Sequence, residues 1–200
     1  MNAPQTTLSL QEVARRLNRA GVPWAVFAGA AASVYGATRP LTDVDILVTA
    51  AYGGRAAALF PEGQAKHREG GAVHIIQLPG FDLVAGLTWR EGDSTYTMDL
   101  DEQMAARLQH HEITGVIVPV IPPEDNILLK ALFGRGPEVG KHDWEDVQAM
   151  VAHLPALDWE YLRWRVDACG SGPRMGWALE RLEALRRQVG AKSPLETDRE

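Results

Sequence analysis

Residues 24–48, WAVFAGAAASVYGATRPLTDVDILV, hold the densest chemistry in the chain. They read as a strand over 24–28, a turn at Gly29, a short helix over 30–35, an arginine-bearing loop and a second strand over 43–48. The first apolar run lies between Pro23 and Gly29, which favours a buried strand. Its alanines let the helix pack closely on a sheet, and Gly36 is placed to end it. In a strand, residues two apart share a face, about 6.6 Å apart along the chain. Asp43 and Asp45 therefore stand side by side, opposite Val44, Ile46 and Val48. Two such carboxylates repel each other unless a cation or a proton sits between them.

The 200 residues suffice for one substantial domain, or for one domain with a helical appendage. Hydrophobic residues make up 46% of them, so a packed core is expected, with disorder confined to the ends. A net charge of −6 argues against a broad nucleic-acid-binding surface and leaves room for a local basic patch. Cys169 is alone, which excludes an internal disulfide framework, suits a reducing cytoplasm and reads as a buried, inert thiol. The N-terminus lacks the basic flank and apolar run of a signal peptide. No stretch approaches the ~20 apolar residues of a membrane helix. A cytoplasmic protein with no membrane partner is the expectation.

Outward from the opening stretch, Ser9 caps a helix to about Ala20, with Glu12 at the capping-box spacing. Residues 53–60 read as a helix, 64–71 as a polar connection, 73–78 as a strand, and Pro79-Gly80 as a tight turn into a strand over 81–84. That hairpin puts Asp82 in its second arm. A short helix over 104–109 and strands over 111–114 and 116–121 follow, then Pro122-Pro123. Helices are expected over 124–133, 143–153, 159–167 and 173–189, with a flexible connection over 134–140 that holds Arg135. The conformation of residues 88–98 does not follow from their pattern. The organisation is an α/β core over 1–122 with its N-terminal helix, a helical part over 123–190 packed on it, and a flexible tail over 191–200.

A bare Asp-x-Asp is usually a turn or cap feature. Here Gly29 lies at a strand-to-helix turn, where backbone N–H groups can hold phosphate. Ser33 can offer a hydroxyl to the same anion, and Asp82 can bring a third carboxylate across the sheet. Mg²⁺ is bound by a few carboxylates plus substrate phosphates, and a pair of ions can clamp an in-line displacement. Asp43 and Asp45 would hold ions on a nucleoside triphosphate. Asp82 would complete the second site and help deprotonate an acceptor hydroxyl. The implied chemistry is transfer of a nucleoside monophosphate, with pyrophosphate leaving.

The stretch AGAAASVYGATRPLTDVDILV resembles the signature of the DNA polymerase beta-like nucleotidyltransferase superfamily: a Gly-Gly or Gly-Ser turn, a helix, a basic and Thr-bearing loop, then an acidic pair in a strand. Gly29 matches the first glycine, Arg39 and Thr42 the loop, and Asp43 and Asp45 the pair. Phe81-Asp82-Leu83 resembles the segment with the third carboxylate. Downstream, VIPPEDNILLKALFGRGPEVGKHDWEDVQAM resembles small prokaryotic members, including those of toxin–antitoxin type, with Lys130, Lys141, Asp143 and Asp146 at matching positions. The likeness runs from about Val22 to Val151. It implies an α+β minimal nucleotidyltransferase fold, a mixed sheet flanked by helices with a helical C-terminal part. It also implies Mg²⁺ as cofactor, two ions with bound NTP; the acceptor, a small molecule, a tRNA or a protein, is left open. A cognate antitoxin-like protein is the partner the subtype would imply. Ala30 stands at the second turn position and is counted with Gly29, Ser33, Arg39, Thr42, Lys130 and Lys141 as nucleotide-binding.

Other residues have plainer readings. Arg39 either binds phosphate or caps a helix and pairs with an acid. Lys130, amid Leu128, Leu129 and Leu132, either lays its stem along apolar surface or faces the site. Asp143 reads as a helix N-cap. Arg163, Arg165, Arg174, Arg181, Arg186 and Arg187 read as a solvated basic face. His110 and His111 have no partners at zinc spacing. A catalytically inactive nucleotide- or partner-binding module is the alternative to an enzyme.

Overall fold

The computed structural model describes residues 8–67, 74–154 and 156–192. Helix α1 (Leu10–Arg19) opens on Ser9, whose hydroxyl accepts from the Glu12 amide at 3.2 Å. Glu12 does not reach back to close a capping box; its carboxylate takes Arg15 and Arg16 instead. Strand β1 (Trp24–Phe27) is wholly buried and runs straight into α2 (Ala28–Val34). After the loop come β2 (Val44–Val48), α3 (Gly53–Leu59), β3 (Gln64–His67), β4 (His74–Leu78) and β5 (Phe81–Ala85). A separate hairpin, β6 (Leu87–Glu91) and β7 (Ser94–Met98), precedes α4 (Glu102–Ala105), β8 (Gln109–Ile113) and β9 (Val116–Val120). Among the described residues four helices follow: α5 (Pro123–Phe133), α6 (Asp143–His153), α7 (Trp159–Cys169) and α8 (Pro173–Lys192).

Seven strands form one mixed sheet in the order β3-β4-β5-β2-β1-β9-β8. The inner pairs β2–β5 and β1–β9 are parallel and the others antiparallel. Parallel neighbours need long crossovers, which put helices on the faces. The fold is accordingly α+β, a mixed sheet flanked by helices. The core runs unbroken from Val13 and Leu17 of α1 through Ile46 and Leu47 of β2 to Ile127, Leu128 and Leu132 of α5 and Leu182 of α8. Among the described residues, no helix is long and apolar enough to cross a membrane.

Two expectations are corrected, and one open segment takes a definite form. The polar stretch from Gln64 begins as β3, because edge pairing with β4 supplies hydrogen bonds that hydropathy does not register. Residues 88–98 form the β6–β7 hairpin, whose Trp89 lies opposite Tyr96 and stacks on it at 5.5 Å. The helix expected over 104–109 is only α4, and Gln109 already belongs to β8. Residues 1–7, 68–73, 155 and 193–200, with most of the expected tail, lie outside the described residues.

Helix α5 is the centre of the C-terminal half and is buried almost all round. Gly134, in the left-handed conformation at φ 54°, ends it, and the Trp177 ring lies where a Cβ would stand. Arg165 of α7 is 2% exposed, so the expected solvated face is wrong at that position. Its guanidinium reaches Asp101, the Tyr161 hydroxyl at 2.8 Å and Asp125 Oδ1 at 2.6 Å, tying α7 to α5 and to the cap of α4. Cys169 is buried beside this network, and burial pushes its thiol up to about 12, as suits an inert residue.

Candidate functional site

The β2–β5 pairing brings two carboxylates together. In the parallel register Asp45 lies directly across from Asp82, about 4.8 Å away along the hydrogen-bonding direction. Asp43 precedes β2 and is exposed, with its Oδ1 accepting from the Thr42 hydroxyl at 2.8 Å. Burial, then the charges of Asp43 and Asp82, push the Asp45 carboxyl up to about 7; Lys141 and Lys130 pull the other way. The three side chains do not close into one tight cluster: among the described residues, no group of three His, Cys, Asp or Glu is close enough to hold a metal ion. Their chemistry nevertheless fits a hard divalent cation, being all carboxylate oxygens and mutually repulsive.

A cleft of about 130 Å³ opens beside them, lined by Gly29, Ser33, Arg39, Asp43, Asp45 and Lys141 among others. Two roomier surface hollows, of about 420 and 350 Å³, contain none of the strand carboxylates. The turn that enters α2 forms part of the cleft. Its strained residue is Ala28, at φ 54°, a region that residues with a Cβ rarely adopt. Gly29 follows in ordinary helical backbone, with open space where a Cβ would stand. Ala30 is fully buried and lines no part of the cleft. Its expected place at the turn is therefore a correction: the glycine-demanding position is Ala28, two residues earlier. Ser33 lines the cleft, but its hydroxyl donates to the Ala30 carbonyl at 2.7 Å, leaving only its lone pairs for a ligand.

The opposite wall is a charge network. Lys130 is 4% exposed and its Nζ sits 3.2 Å from Asp143 Oδ1 and 2.8 Å from Asp146 Oδ2. Arg39 grips Asp146 with two hydrogen bonds of 2.9 and 2.6 Å. Arg135 donates to Asp143 from its side chain at 2.8 Å and from its backbone at 3.2 Å. Asp143 is thus no N-cap; that place belongs to His142, and the Asp143 carboxylate is buried as a counter-ion. Burial pushes the Asp146 carboxyl up, and hydrogen bonds from Arg39 and Lys130 more than offset it, holding it below the usual carboxylate range. Lys141 also lines the cleft; it is exposed and makes no ion pair among the described residues.

The structure therefore brings Gly29, Ser33, Arg39, Thr42, Asp43, Asp45, Lys130 and Lys141 to one cleft and places Asp82 on the strand beside it. Arg39 and Lys130 face that cleft with their charge committed to carboxylates. Ala28 and Asn126, whose amide donates to the Ala28 carbonyl at 3.1 Å, escaped notice in the sequence. A residue that needs positive φ carries no mark when it is alanine rather than glycine.

A family model described as an uncharacterised nucleotidyltransferase matches residues 2–185. No curated protein matches the chain by sequence. Among solved structures, ANT(2″)-Ia in complex with adenylyl-2″-tobramycin is similar at a TM-score of 0.54 and 16% identity, over 78% of this chain and 93% of that one. The solution structure of ANT(2″)-Ia gives 0.53 at 13% identity, over 91% and 95% of the two chains. A protein from Thermotoga maritima, described as a nucleotidyltransferase, gives 0.50 at 18% identity over 65% and 85%. At these identities the solved structures speak for the shared fold.

Proposed function

Because the chain belongs to the uncharacterised nucleotidyltransferase family, we propose that it moves a nucleoside monophosphate from a nucleoside triphosphate to a hydroxyl acceptor, with pyrophosphate leaving. The observation that carries this reading is the pairing of Asp45 with Asp82 across parallel strands beside a cleft that holds Lys141, which has no ion pair among the described residues. Asp43, Asp45 and Asp82 are the residues that would hold Mg²⁺, two ions in the full site. Bound there, the ions would neutralise charge on the triphosphate and on the attacking and leaving oxygens. Asp82, one strand beyond Asp45, is the group to take the acceptor hydroxyl's proton. Lys141 neutralises phosphate charge, while Arg39 and Lys130 keep the wall rigid through Asp143 and Asp146. Thr42 orients Asp43, and the turn at Ala28 and Gly29 gives the triphosphate a close approach.

A small-molecule hydroxyl is the first acceptor class to test, since a structural neighbour was solved with adenylyl-2″-tobramycin. A net charge of −6 makes a tRNA acceptor the less favoured version. The single buried cysteine suits a reducing cytoplasm. The domain division at Pro122-Pro123 fits a helical part that shapes the acceptor side, and a toxin–antitoxin role would show as growth arrest on expression, rescued by Asp43→Ala.

Calorimetry with ATP, CTP, GTP and UTP, with and without Mg²⁺, followed by transfer of labelled nucleotide across an acceptor panel, tests the proposal. Metal-dependent binding with transfer supports it. Binding without turnover favours a non-catalytic nucleotide-binding module, and no binding of any NTP overturns both. Lys141→Ala is expected to weaken NTP binding about tenfold, equivalent to about 1.4 kcal/mol. As an exposed residue with no ion pair among the described residues, it should leave stability within about 0.5 kcal/mol of the parent, read by thermal melting.

A further inference from the structure

Asn126 has an odd environment for a polar side chain. It is fully buried on α5, the helix that packs on α2. Its Nδ2 donates to the Ala28 carbonyl at 3.1 Å and lies 3.5 Å from the Met150 sulfur. Its Oδ1 is buried without a partner among the described residues. Leaving an amide oxygen unpaired in the interior is costly, and an apolar residue there would avoid the cost. The one aligned hydrogen bond from Asn126 to the backbone therefore has something to offset. It ends on Ala28, which holds a left-handed backbone although it carries a Cβ. Such strained conformations persist only where the surroundings over-determine them.

We propose that Asn126 is the positioning residue of the turn at Ala28 and Gly29: its amide anchors the Ala28 carbonyl, holds that residue left-handed and so sets Gly29 against the cleft. This rests on the reading of the cleft as a triphosphate site. Asn126 and Lys130 are four residues apart and share a face of α5. One helix face thereby supports both the turn and the charged wall across from it. The pairing is specific to an alanine at position 28, because glycine adopts the left-handed region without the Cβ penalty.

The test is a double-mutant cycle of the parent, Asn126→Leu, Ala28→Gly and the two combined. It has two readouts: Mg²⁺-ATP affinity by calorimetry, and the strong intraresidue HN–Hα NOE of a left-handed residue at position 28. Asn126→Leu should lose that NOE and weaken ATP binding about tenfold with alanine at position 28, and change affinity less than about threefold with glycine there. An equal loss in both backgrounds would make Asn126 a packing residue and overturn the proposal. If Asn126→Leu does not fold, Asn126→Ser takes its place; folding restored by Ala28→Gly supports the proposal, and failure in both backgrounds overturns it. If the parent binds no ATP, the nucleotide reading fails alone, and the NOE still decides the role of Asn126.

Discussion

Replacing Asp45 by Asn is expected to lower nucleotide transfer by about 10³ or more while raising the stability of the protein alone. On the proposed reading the loss follows from removing a charged metal ligand from the paired strands, where bound metal would supply several kcal/mol of charge stabilisation at about 1.4 kcal/mol per tenfold. The gain follows from electrostatics. Burial and the charges of Asp43 and Asp82 raise the Asp45 carboxyl from its ordinary 3.8 to about 7. Between those values the folded state binds a proton that the unfolded chain gives up, so Asp45 weakens folding progressively as pH rises from about 4 to about 7 and fully above that. Asparagine never ionises. The melting-temperature advantage of Asp45→Asn should therefore be smallest near pH 4 and largest above pH 7. Adding Mg²⁺ at pH 8 should stabilise the parent and narrow that gap, because a ligand of the native state stabilises by mass action. Undiminished transfer by the variant would sink the assignment of Asp45. A gap that does not widen with pH would contradict its raised pKa.

Lys130→Met is expected to destabilise the fold by about 3 kcal/mol, lowering the melting temperature by about 6–12 °C. The ammonium is almost fully buried against Asp143 and Asp146, each of which is about as deeply buried. Methionine matches its stem but takes the buried cation from two carboxylates, which among the described residues then keep Arg39 and Arg135 at the cleft rim. Removing one member of a buried network costs more than the pair is worth, because the remaining charge loses its solvation and its partner together. The Asp146 carboxyl is held below its ordinary range by Arg39 and Lys130 against burial, so its share of stability is present above that range and is lost as pH falls through its folded value. The penalty of Lys130→Met should shrink under strongly acidic conditions accordingly. Thermal melting across pH measures this. A variant that melts like the parent but binds NTP far more weakly would mean that Lys130 serves the triphosphate directly.

These two residues show unequal legibility. Asp45 could be found from the chain because its argument is local: a strand alternates faces, and two acids two residues apart share one. The Pro79-Gly80 turn, with Gly80 at φ 82°, put Asp82 in a strand, but its place across from Asp45 comes from the parallel β2–β5 register, which no local pattern writes. Lys130 was visible as a lysine among leucines; the structure buries it and sets it at the cleft. What it faces could not be read. Asp143 and Asp146 lie 13 and 16 residues further on, beyond a loop whose path depends on packing, and in isolation an acid in a helix's first turn looks like a cap.

The chain's own pattern determined the α1 cap at Ser9, the β1–α2–β2 order, the carboxylate edge of β2 and the run of helices after Pro123, because each rests on periodicities or turn chemistry within a dozen residues. Tertiary structure alone decided which cations remain free. Arg39, Lys130 and Lys141 are equivalent as charges along the chain, yet folding pairs the first two with buried carboxylates and sets the third at the cleft without an ion pair among the described residues. It also decided that Ala28, rather than Ala30, takes the strained turn position, since backbone handedness there is set by the docking of α5 on α2 and by the Asn126 amide. Long-range charge neutralisation and close packing have no period in the sequence, so only the assembled fold expresses them.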